Sequence, residues 1–190
     1  VVAMMQTDIK RLVAYSSVSH MGFVILGIFT FTVEGTSGAV MQMVNHGLST
    51  GLLFFVVGML YERTHTRDIS EMGGLAKITP WIAAAFLVAT LSSIGLPGLN
   101  NFVGEFLVIL GSFGADRVLG AIAVSGVVLS AIYMLWAYQR TFQGPEPEAE
   151  RRRGLMDMVP REIAAVVPVV AAMLVLGGAF TKSAQFPFHF

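Results

Sequence analysis

Cysteine is absent from the 190 residues, which excludes disulfide frameworks, thiolate metal centres and cysteine-held iron–sulfur clusters in this chain. Charge is scarce: only 13% of residues are Asp, Glu, Lys or Arg, against about 25% in a soluble domain. The formal net charge is zero, so the basic excess that accompanies nucleic-acid binding is missing. No Gly-rich fingerprint follows a strand-like run, so no dinucleotide site can be placed. The opening VVAMMQTDIK has no basic segment leading to a cleavage site and does not read as a signal peptide.

What is abundant is apolar surface. Hydrophobic residues make up 55% of the chain and mean hydropathy is +0.72. Apolar runs of about 18 residues or more are candidate membrane spans, since a hydrocarbon core of about 30 Å takes roughly 20 helical residues. They occur at about Leu12 to Thr32, Gly38 to Tyr61, Val118 to Tyr138 and Ile163 to Phe180. A fifth, Trp81 to Ser112, is longer than one span needs and contains SIGLPGLNNFVGEF, which puts three glycines, a proline and a carboxylate at membrane depth. The expected fold is therefore all-α: a polytopic transmembrane helix bundle forming one membrane domain, with one discontinuous helix broken near 95–101. Val1 to Gln6 reads as the tail of a preceding helix, so the chain is expected to be part of a longer one.

Basic residues sort by alternate loops. One side holds Lys10, Arg11, Arg63, Arg67, Lys77, Arg140, Arg151, Arg152, Arg153 and Arg161; the other holds Arg117 and Lys182. The positive-inside rule places the first set in the cytoplasm, makes 139–162 a charged cytoplasmic loop and leaves TKSAQFPFHF outside. Trp81, Trp136, Tyr138 and Tyr61 fall near expected helix ends, at headgroup level.

Three ionisable groups fall at depth. His20 lies about eight residues into its span, roughly 12 Å from the end. His46 is similarly deep in the next span, and Glu105 lies just beyond the GLPG break. Ionisable groups in hydrocarbon are costly and mark functional sites by default. Gln42, Asn45, His46 and Ser49 repeat at i, i+3, i+4 and i+7, a polar stripe that must face protein or water. Ser16, Ser17 and Ser19 precede His20. Pro97 removes a helix hydrogen bond, the flanking glycines ease unwinding, and Asn100 and Asn101 are placed to satisfy the backbone groups so freed. Interhelical glue is the competing role for each histidine, and an ordinary proline kink the competing reading of the break.

The order QTDIKRLVAYSSVSHMG, GAVMQMVNHGLSTGLLFFVVGMLYERTHTRDI and GLPGLNNFVGEFLVILGSF resembles the antiporter-like membrane subunits of respiratory complex I, the NADH:quinone oxidoreductase. The resemblance runs to about Phe142. It implies the C-terminal portion of a subunit of about fourteen helices, with Trp81 to Ser112 matching the family's broken helix. It assigns proton relay to Glu105, His20 and His46 along a central hydrophilic axis. Glutamate rather than lysine at position 105 distinguishes one branch of the family. NADH, flavin, iron–sulfur clusters and quinone are then expected in other subunits, with no cofactor in this chain. The implied partners are neighbouring membrane subunits and lipid, in a bacterial inner membrane. The same fold would also serve a multisubunit cation/proton antiporter, a membrane-bound hydrogenase or a non-conducting scaffold.

Overall fold

A computed structural model describes residues 1–145 and 155–184. Every long element is an α-helix: α1 (Ile9–Phe29), α2 (Val33–Thr64), α3 (Pro80–Ser93), α4 (Asn100–Ala115), α5 (Arg117–Phe142) and α6 (Pro160–Ala184). Four of them, α1, α2, α5 and α6, are long and apolar enough to cross a membrane. Ala3–Met5 forms a single 3-10 turn ahead of α1. The run of Arg151, Arg152 and Arg153 and most of the final tail lie outside the described residues.

Helix starts are written locally. Asp8 accepts from the backbone N–H of Lys10 and Arg11 at 2.8 and 3.1 Å, Thr32 from Gly35 at 3.1 Å, and Asp116 from Val118 and Leu119 at 2.6 and 3.2 Å. Each satisfies donors that a helix cannot pair internally. α3 is different. It opens on Pro80, its flanking Thr79 makes no side-chain cap, and the Asp157 carboxylate arrives from beyond α5 to accept from Trp81 and Ile82 at 2.8 and 3.2 Å.

The discontinuous helix is present as expected, as α3 and α4 joined by 94–99. At 14 and 16 residues, each is shorter than the roughly 20 that a span takes. Gly95 and Gly98 sit at φ +70° and +97°, left-handed values that few side chains tolerate. The backbone of the break satisfies itself: Gly95 N donates to the Ser92 carbonyl at 3.0 Å, Leu96 N to Leu91 at 3.1 Å and Leu99 N to Leu96 at 3.1 Å. This corrects the expectation for Asn100 and Asn101, whose amide side chains turn instead to α3 and α2.

The core has two characters. Toward the end of the bundle that carries Lys10, Arg63 and Arg140, a dry cluster gathers Leu12, Leu53, Leu60, Ile82, Phe86 and Phe142 with their neighbours. Around α4 the contacts are closer and more polar. A Cβ on Gly104 would stand 2.6 Å from Gln42 Oε1 and 3.1 Å from its backbone nitrogen, so glycine there sets the approach of α4 to α2. Small residues permit such approach in membrane bundles.

Candidate functional site

The approach of α2 and α4 places a buried polar seam along the middle of the bundle. The α2 stripe, Gln42, Asn45, His46 and Ser49, is buried throughout. Opposite it, α4 presents Asn100, Asn101 and Glu105, all buried. Asn45 Nδ2 donates to the Asn100 carbonyl at 2.7 Å, and Asn100 Nδ2 returns a bond to the Asn45 carbonyl at 3.2 Å. Ser92 Oγ donates to Asn100 Oδ1 at 2.6 Å, and Asn101 Nδ2 to Ser49 Oγ at 3.0 Å. The first turn of α4 is therefore laced to α2 and, across the break, to the last turn of α3.

One turn further along α4, Glu105 is 4% exposed and His20, on α1, 3%. His20 Nδ1 lies 3.2 Å from Glu105 Oε1, and Gln42 Nε2 donates to the same oxygen at 3.2 Å. The other carboxylate oxygen faces the break: a Cβ on Gly95 would collide with Glu105 Oε2. The helix interruption and the carboxylate are thus one packed unit. A side chain at 95 would be excluded twice, by the left-handed backbone and by the carboxylate.

The imidazole of His46 lies 5.4 Å from that of His20, centroid to centroid, tilted by 37°. Thr50 Oγ1 is within 3.2 Å of the His46 ring nitrogens. Glu105, His20 and His46, expected from sequence on three separate spans, therefore meet as one cluster. Ser16 joins it through a residue that sequence reasoning missed: its hydroxyl is 2.9 Å from that of Tyr133 on α5. Ser130 Oγ, also missed, lies 3.4 Å from His20 Nε2 and donates to the Tyr133 hydroxyl at 3.3 Å. The signal was a serine and a tyrosine three apart on an otherwise apolar span, hence on one face. Ser17 does not join, since its hydroxyl bonds the Val13 carbonyl one turn back at 3.2 Å.

A charged pair outside the seam went unread. Arg63 Nη2 and Glu162 Oε2 are 2.6 Å apart, and Arg63 Nη1 reaches Glu162 Oε1 at 3.2 Å. Arg63 Nε donates to the Met156 carbonyl at 2.6 Å, so the fork ties the end of α2 to the start of α6. Among the described residues, no group of three His, Asp or Glu side chains could hold a metal ion.

A bundle of apolar helices with an interrupted helix and buried ionisable groups at the interruption defines a polytopic membrane protein built around an internal polar axis. Residues 1–132 match the family described as NADH:quinone oxidoreductase/Mrp antiporter, TM. The chain belongs to that family. It is 47% identical over 177 residues, 93% of its length, to NADH-quinone oxidoreductase subunit M of Mycobacterium tuberculosis, and covers 32% of that protein. A chain of respiratory complex I from Thermus thermophilus superposes with a TM-score of 0.86 at 40% identity, over 93% of this chain and 37% of that one. A chain of an archaeal membrane-bound sulfane sulfur reductase also superposes at 0.86, with 26% identity, over 93% and 29%. The chain thus spans about a third of the length of the relatives it matches.

Proposed function

We propose that this chain is part of subunit M of a proton-translocating NADH:quinone oxidoreductase, and that Glu105, His20 and His46 relay protons through it. Its identity to subunit M relatives over almost its whole length supports the assignment to that complex. The observation that carries the relay is the 3.2 Å contact between Glu105 Oε1 and His20 Nδ1, buried beside a helix break. His20 Nδ1 makes no hydrogen bond, so it is open to receive a proton from the Glu105 carboxyl at that distance. His46, whose ring centroid lies 5.4 Å from that of His20, is the next station, reached through bridging water. Three buried acceptor oxygens without a hydrogen-bond partner, Gln42 Oε1, Asn45 Oδ1 and Asn101 Oδ1, favour hydration of this seam, because buried polar atoms without protein partners draw water.

The redox chemistry belongs to other subunits in this reading. NADH, flavin, iron–sulfur clusters and quinone sit there, and charge movement reaches this chain electrostatically. Its partners are neighbouring antiporter-like subunits and lipid in a bacterial inner membrane, with the basic loops in the cytoplasm. The test is Glu105→Gln in the full-length subunit, within the intact complex reconstituted in vesicles. NADH oxidation with an artificial acceptor is expected to persist while proton pumping falls by roughly 10²-fold, the lower range for losing a positioned acid–base group. Wild-type pumping would overturn the assignment of Glu105.

A further inference from the structure

His20 faces a carboxylate on one nitrogen and a hydroxyl on the other, and the hydroxyl side decides which nitrogen keeps its proton. Ser130 has a single O–H. That hydrogen is directed to the Tyr133 hydroxyl at 3.3 Å, while Tyr133 in turn meets Ser16 at 2.9 Å. Ser130 therefore meets His20 Nε2, at 3.4 Å, with a lone pair. A lone pair opposite a ring nitrogen requires that nitrogen to carry hydrogen. Nε2–H is then the fixed proton, and Nδ1 faces Glu105 with the nitrogen lone pair of the neutral ring.

We propose that Tyr133, acting through Ser130, is a positioning residue that holds neutral His20 as the Nε2–H tautomer, so that His20 Nδ1 and Glu105 share one exchangeable proton. The inference rests on the relay reading above and deepens it. Without the hydroxyl chain, Nδ1 would take the ring hydrogen toward an ionised Glu105, and the pair would lose its vacant proton seat. The groups surrounding the His20 ring agree with this arrangement. α4 contributes Glu105, which Gln42 of α2 holds at the same oxygen, and α2 also contributes His46. α5 contributes only the two hydroxyls of Ser130 and Tyr133. All of these groups are buried, so bulk water does not scramble the order.

The test uses the intact complex with isotope-labelled histidine. Infrared difference spectra isolate the ring modes of His20 by subtracting the His20→Gln complex. Tyr133→Phe removes the acceptor of the Ser130 hydrogen and frees it to donate to Nε2. The ring signature should move from Nε2–H to Nδ1–H, with pumping reduced roughly fivefold, the factor for one neutral hydrogen bond. Ser130→Thr keeps the hydroxyl and should retain both the wild-type spectrum and wild-type pumping; Ser130→Ala should match the pumping loss of Tyr133→Phe. A packing defect at position 133 would not follow that pattern. An unchanged ring signature and unchanged pumping in Tyr133→Phe, while Glu105→Gln is defective, overturns this inference alone. Unimpaired Glu105→Gln overturns the relay reading beneath it.

Discussion

The two halves of α2 bury themselves in opposite ways. From Gly35 to Ser49 its buried residues are Gly, Gly, Ala, Gln, Asn, His and Ser; from Leu52 to Leu60 they are Leu, Leu, Val, Val, Met and Leu. The first half meets α4 through reciprocal amide bonds and glycine contacts. The second joins the dry cluster with Ile82 and Phe86 of α3. The two pieces of the broken helix therefore correspond to the two halves of one continuous helix, and the break falls where α2 changes character. In hydrocarbon, where burial of apolar surface gains little, the dry half holds by van der Waals packing and the polar half by hydrogen bonds that have no alternative partner in lipid.

That division can be broken from either side. Leu53→Asn puts an amide without partners into the dry half and should cost about 3 kcal/mol, read as a loss of thermal stability of the purified complex in detergent. Gln42→Leu makes the reverse exchange in the polar half. It removes one donor to Glu105, and pumping should fall roughly tenfold, the size of a charge-assisted hydrogen bond, with stability changed by only about 1 kcal/mol. If Gln42→Leu harmed stability as much as Leu53→Asn, the two halves would not differ in purpose.

Smaller effects lie outside the seam. Asp157→Ala should cost about 1 kcal/mol by uncapping α3, measured as the same thermal shift with pumping unaltered. The smallest concerns Asp68, in the loop joining α2 and α3, whose carboxyl is held below its usual range first by the Ser70 hydroxyl and then by the Ser70 backbone N–H. A depressed carboxyl stabilises above its unfolded pKa and loses that contribution as pH falls through the folded value. Asp68→Asn should accordingly differ slightly from wild type at pH 7 and converge with it in acid, below about pH 4.

Much of this plan was legible in the residues. The long helices follow from apolar runs, the interruption from Gly95, Pro97 and Gly98, and the burial of Glu105, His20 and His46 from their place inside those runs. The stripe at Gln42, Asn45, His46 and Ser49 showed which face of α2 turns inward. The pairings across the bundle were not legible. Ser130 and Tyr133 gain meaning only once α5 lies against α1. Arg63 is 99 residues from Glu162, and nothing in a charged residue at a helix end says that its partner opens a later helix. Asn100 and Asn101 were misjudged because the break closes its own backbone bonds, which freed both amides for α2 and α3.

The cap on α3 has a consequence in time. Trp81 and Asp157 are 76 residues apart, so at synthesis rates of about 5–20 residues per second, roughly 4 to 15 seconds separate the emergence of the helix start from that of its cap. During that interval α3 must wait in the bilayer or its interface with its first N–H groups served by water or headgroups. The segment that carries Asp157 leads directly into α6, whose Gly177 lies against the break at Gly98 and Leu99. The arrival of α6 therefore completes the start of α3 and seats the break that follows it, and the order of translation becomes an order of assembly in which the interrupted helix stays open until α6 arrives.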